Sequence, residues 1–172
     1  FYPFSLWSAC NYRWATLSEH TLHIALPLTC ALMLPYTPQE WEMPAERILR
    51  ATLSLCFIGH GLYALNISPT PQEFLVMTMN IMKVSESSAH YFLYTVGLLD
   101  LIAALFIWLP VRELRRSALY YMIIWGSLTA LARPMGLPAP SLLDRMITWG
   151  PEATWRLSHA LTPLWLWFRT YR

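Results

Sequence analysis

The stretch "HYFLYTVGLLDLIAALFIWL", residues 90 to 109, is twenty residues long and carries one charged side chain, Asp100. At 1.5 Å per residue such a helix is about 30 Å long, the thickness of a bilayer hydrocarbon core. An acid near the centre of a span costs about 2.5–3.5 kcal/mol on insertion scales, and such groups usually face protein or water. The run therefore predicts a membrane-spanning helix with Asp100 turned into a bundle, either neutral or partnered.

The rest of the chain agrees with that reading. Of its 172 residues 56% are hydrophobic, 15% aromatic and 13% charged, against about 25% charged in a soluble domain. Many of the tryptophans and tyrosines lie near the ends of apolar runs, where membrane interfaces place them. The length predicts one domain, 1–172. A net charge of +2, with no basic run, argues against a nucleic-acid partner. Cys10, Cys30 and Cys56 form no CxxC pair and read as small buried hydrophobes. No GxGxxG, Walker A or HExxH motif is present.

The expected fold class is all-α, a transmembrane helical bundle. Four further runs join 90–109 as candidate spans: 14–34, 47–65, 117–132 and 153–168. The first contains Glu19, His20, His23 and a Pro27 expected to kink it. Residues 35–47 and 110–117 read as polar and basic connectors, and 133–152 as a long loop holding a short helix that Ser141 caps. Residues 69–88 are too short and too charged at their flanks to span. Phe74, Met77, Ile81 and Met82 share a helical face there, which predicts an interfacial helix near 70–86. Lysines and arginines divide seven against five between the two sides of such a bundle. The short loop with Arg112, Arg115 and Arg116 decides the orientation: that loop and the C-terminus in the cytoplasm, 66–89 and 133–154 outside, in a bacterial inner membrane.

On this topology all five histidines fall in the outer half. One reading is a chance gathering at a polar interface. The other is a shared site of His60, Asp100, His90 and His159 for a quinone headgroup, a haem or a metal, since imidazole ligates metals and hydrogen-bonds to carbonyls, and His20 and His23 one turn apart are also compatible with a metal. Met77, Met79 and Met82 beside histidines add Cu(I) as a weaker alternative. His60 lies about four residues, or roughly 6 Å, past the middle of its helix, so a His60–Asp100 contact is geometrically reasonable. Arg50 reads as a snorkelling cytoplasmic anchor. Gly59 and Gly61 permit close helix approach beside His60, or access of a flat ligand to it.

These residues resemble a family. "RATLSLCFIGHG", with Arg50 ten residues before His60-Gly61, is similar to the first-helix signature of DoxX-like membrane proteins. Gly97 and Asp100 resemble the glycine and acid of that family's second helix, with Asp where Glu is more usual. "LTALARP" (128–134) and "RLSHALTPLWLWF" (156–168, with Pro163) resemble the later helices of one branch. The resemblance implies a four-helix core over 45–170, with 14–34 as an additional N-terminal helix. It also implies a role beside membrane redox enzymes, some family members being small subunits of thiosulfate:quinone oxidoreductase. The expected function is an accessory or structural subunit of a larger respiratory or photosynthetic complex, packing against subunits, lipid or pigment. The alternative is a quinone-linked oxidoreductase subunit.

Overall fold

The computed structural model describes residues 14–33 and 38–171, and these are helical throughout apart from short connections. In chain order the helices are α1 Trp14–Glu19, α2 Thr21–Met33, α3 Pro38–Ala64, α4 Gln72–Met82, α5 Glu86–Phe106, α6 Arg112–Gly136, α7 Leu142–Arg156 and α8 Ser158–Tyr171. Cys10, Arg13, Arg172, residue 34 and residues 35–37 of the expected polar connector lie outside the described residues, and Cys30, expected to be buried, is exposed.

Local chemistry accounts for most boundaries. The Ser85 hydroxyl accepts the Ser88 amide at the start of α5, and the Ser141 hydroxyl accepts the Asp144 amide at 3.1 Å at the start of α7, as the sequence predicts. Lys83, in the left-handed region at φ 56°, ends α4. Asn66, also at φ 56°, follows α3, and its side chain accepts the Thr70 amide at 3.1 Å.

Three expectations are corrected. The run 14–34 is not one kinked span, because the helix breaks at His20 rather than at Pro27. There the Thr21 hydroxyl lies 2.7 Å from the Ser18 carbonyl and 2.9 Å from the Thr52 carbonyl of α3. Local bonds of this kind compete with a continuous helix. Residues from Pro38 onward, expected as connector, form the first turns of α3. The helix expected at 117–132 runs from Arg112 to Gly136, so "RPMG" is its last turn and not the start of a loop. The helix that Ser141 caps then continues to Arg156. At the end of α6 the Asn80 side-chain amide donates to the Gly136 carbonyl at 2.7 Å, a terminal carbonyl that no further helical turn satisfies.

Glycines set the packing. Gly61 of α3 and Gly97 of α5 face each other: a Cβ on Gly61 would stand 2.9 Å from the Gly97 carbonyl oxygen. A Cβ on Gly59 would meet the backbone of α1, and one on Gly126 would lie 2.5 Å from the His159 carbonyl oxygen. Small residues of this kind let helix backbones approach closely. Of the two readings of the glycines beside His60, close helix approach is therefore the one seen. Between the helices Leu53, Cys56, Phe57, Ala104, Leu119, Met122 and Leu166 form the main apolar core.

By length and composition one helix among the described residues, α5, is long and apolar enough to cross a membrane. It is the stretch from which the membrane reading starts, and it begins at Glu86.

Candidate functional site

α3 and α8 converge on α1 and α2 to enclose a polar interior. Glu19 ends α1, and Arg156 ends α7. Arg156 donates through both terminal nitrogens to Glu19 Oε1 at 3.3 Å, and both side chains are buried. Arg156 Nε reaches Glu152 at 3.1 Å, Glu152 reaches Arg133 of α6 at 2.8 Å, and Arg133 pairs with Glu73 of α4. The result is an unbroken chain of alternating charges, Glu73–Arg133–Glu152–Arg156–Glu19, joining α4, α6, α7 and α1. Isolated charges are too costly to bury, and alternation supplies each arginine with two carboxylates.

Four histidines cluster at the Glu19 end. His60 Nδ1 lies 3.7 Å from Glu19 Oε1. The His159 ring stacks on His23 with centroids 5.2 Å apart and meets His60 edge-on at 5.3 Å. His20 and His23 approach through their Nδ1 atoms at 3.0 Å. His60 Nε2, His23 Nε2 and both His159 ring nitrogens are buried without a hydrogen-bond partner. Cys56, one turn before His60 on α3, is fully buried with its thiol donating to the Glu19 carbonyl at 3.1 Å.

A cavity of about 150 Å³ adjoins this cluster. His60, Asp100 and Arg156 contribute to a lining that is otherwise mostly apolar and aromatic, with Phe74, Phe92 and Trp125 prominent. The α4 face foreseen from Phe74, Met77, Ile81 and Met82 supplies one wall. The Tyr121 hydroxyl donates to Asp100 Oδ1 at 2.7 Å.

The predicted site residues therefore separate into groups. His60 and His159 come together. His60 and Asp100 share the cavity, but no hydrogen bond or ion pair joins them among the described residues: Asp100 is held by Tyr121, and His60 faces Glu19. His90 stands apart near the start of α5, beside Glu86 at 4.0 Å and Tyr94. Arg50 is paired with Glu46 and lies over the Trp108 ring at 5.8 Å. Pro163 is buried within α8.

Sequence reasoning missed the charge chain, Tyr121 and the place of Cys56. The available signal was Glu19, Arg133 and Arg156 standing inside or beside apolar runs. Glu19 and Arg156 fall within the candidate spans 14–34 and 153–168 and Arg133 at the head of the expected loop, and sequence pattern gives no sign that the three connect. No protein-family model, curated protein or solved structure matches the chain.

Proposed function

We propose that the chain is an integral membrane helical bundle of DoxX-like type, and that it binds a quinone headgroup in the cavity between His60 and Asp100. It would act as the membrane subunit of a redox complex, with the Arg112–Arg116 loop and the C-terminus on the cytoplasmic side. The cavity carries the reading. Its walls suit a flat apolar ring, and it brings together two separated polar groups, an imidazole with a buried unpartnered Nε2 and a carboxyl fixed by Tyr121. Apolar pockets with a few convergent polar groups are the usual form of small-molecule sites.

Membrane residence draws support from the outer surface. Tyr91, Tyr94, Leu98, Ile102 and Leu105 form an exposed stripe along α5 at helical spacing. Tyr120, Ile124, Leu128, Leu131 and Met135 form another along α6. The chain thus exposes many large apolar side chains while burying the Glu19–Arg156 pair, an arrangement that a lipid solvent favours. The same stripes suit contact with helices of a larger complex, which is the accessory-subunit role.

The test is equilibrium binding of a short-chain benzoquinone to the purified chain in detergent. Asp100→Asn and His60→Gln are expected to weaken it at least tenfold each. Equal affinity in wild type and both variants would remove the cavity from consideration.

A further inference from the structure

We propose that Cys56, His60 and His159 form a site for a divalent transition-metal cation, zinc(II) by donor set, in the bundle interior next to the ligand cavity. The three donor atoms lie within 4.8 Å of one another. A tetrahedral shell with bonds of about 2.0–2.3 Å sets donors about 3.4–3.8 Å apart. Small side-chain rotations close that difference.

Three independent features point to a cation. The first is placement. Cys56 and His60 are four residues apart on α3 and so share a face, and α8 brings His159 against them because Gly126 lets its backbone approach α6. The second is the state of the donors. Both His159 nitrogens and His60 Nε2 are buried and unpartnered, although almost every buried polar group in a folded protein finds a partner. A metal ion would satisfy one nitrogen of each ring. The thiol would give up its proton and its weak contact with the Glu19 carbonyl to become the third ligand.

The third feature is charge. Within the bundle Glu19 and Glu152 balance Arg133 and Arg156, while Glu73 at the outer end of the chain is half exposed. A Cys56 thiolate adds a negative charge to that interior, and a bound cation offsets it, which a low-dielectric core favours. Thiolate with imidazole is a ligand set typical of zinc. Glu19 lies 3.7 Å from His60 Nδ1, on the side of the ring opposite the unpartnered Nε2, where a carboxylate can orient a metal-bound histidine after a small shift. With three protein ligands the fourth position stays open toward water or a bound molecule.

The experiment uses the whole chain, purified in detergent, stripped with chelator and titrated with Co(II) as a spectroscopic probe. The expected result is one equivalent bound per chain, with a thiolate-to-cobalt charge-transfer band that Zn(II) displaces. Cys56→Ala is expected to abolish the band, and His159→Gln to weaken cobalt binding at least tenfold. Helical circular dichroism and elution volume report folding, so whichever variant folds carries the test. Folded wild type without a band, or a band undiminished in a folded variant, would overturn the site. Quinone affinity measured on the same samples keeps the two readings separate: cobalt bound with no quinone affinity sinks the cavity reading alone.

Discussion

Glu19 and Arg156 are 137 positions apart in the chain and meet in its interior, each about 6% exposed, with both terminal guanidinium nitrogens 3.3 Å from one carboxylate oxygen. Arg156 is the link between that acid and the rest of the charge chain. Its replacement by Met strands Glu19 beside His60. Removing one partner of a buried pair costs about 3–5 kcal/mol, whereas replacing both by apolar residues is often neutral. Arg156→Met is therefore expected to destabilise by that amount, and the double variant Glu19→Met/Arg156→Met to recover most of the loss. Denaturant unfolding followed by circular dichroism measures both. A single variant as stable as wild type would mean that the pair is not buried as described.

Gly126 and Gly150 make a matched comparison. A Cβ at Gly126 would meet the His159 backbone at 2.5 Å, whereas one at Gly150 would find only the end of the Met146 side chain at 3.9 Å. Overpacking against backbone costs about 1–3 kcal/mol. Glycine inside a helix is about 0.5–1 kcal/mol worse than alanine. Gly126→Ala is expected to destabilise the chain and Gly150→Ala to leave it unchanged or slightly more stable. The same ranking should hold for thermal inactivation in detergent, and the reverse order would contradict the α6–α8 contact.

Filling the cavity separates ligand binding from the metal cluster. Ala132 lines the cavity and contributes nothing to the histidine cluster. Ala132→Phe places a ring where a ligand ring would lie. Quinone affinity should fall at least tenfold, with cobalt binding intact. Undiminished quinone affinity would place that ligand elsewhere.

The stripe on α5 distinguishes lipid from water outside the bundle. Leu98 is 54% exposed and Leu105 60% exposed. A surface substitution in water usually changes stability by less than about 0.5 kcal/mol, but a lysine near mid-bilayer costs about 2.5–3.5 kcal/mol on insertion scales. Leu98→Lys is expected to reduce recovery in the membrane fraction sharply. Full recovery at normal stability would speak against α5 as a lipid-facing span.

The elements of this fold were legible where one local rule decided them. The apolar run at 90–109 and the serine caps at 85 and 141 belong to this group, although only the second cap was read in advance. The α4 face was visible in its four spaced apolar residues. What was not legible was anything set by contact between distant segments. The break at His20 depends on a Thr21–Thr52 bond across helices, and the charge chain on residues from four helices. The tyrosine that holds Asp100 lies 21 positions further along. Pattern reasoning put His60 and Asp100 in one place but supplied the wrong partner for each, because it ranked partners by depth along a helix without knowing which faces meet.

The charge chain also has a consequence for the order of synthesis. Glu19 leaves the ribosome 137 positions before its arginine, so every helix between them is made first. Until α7 arrives, Glu19 lacks the guanidinium that pairs with it in the finished bundle. The polar interior around Glu19 is therefore completed only when α7 packs against α1.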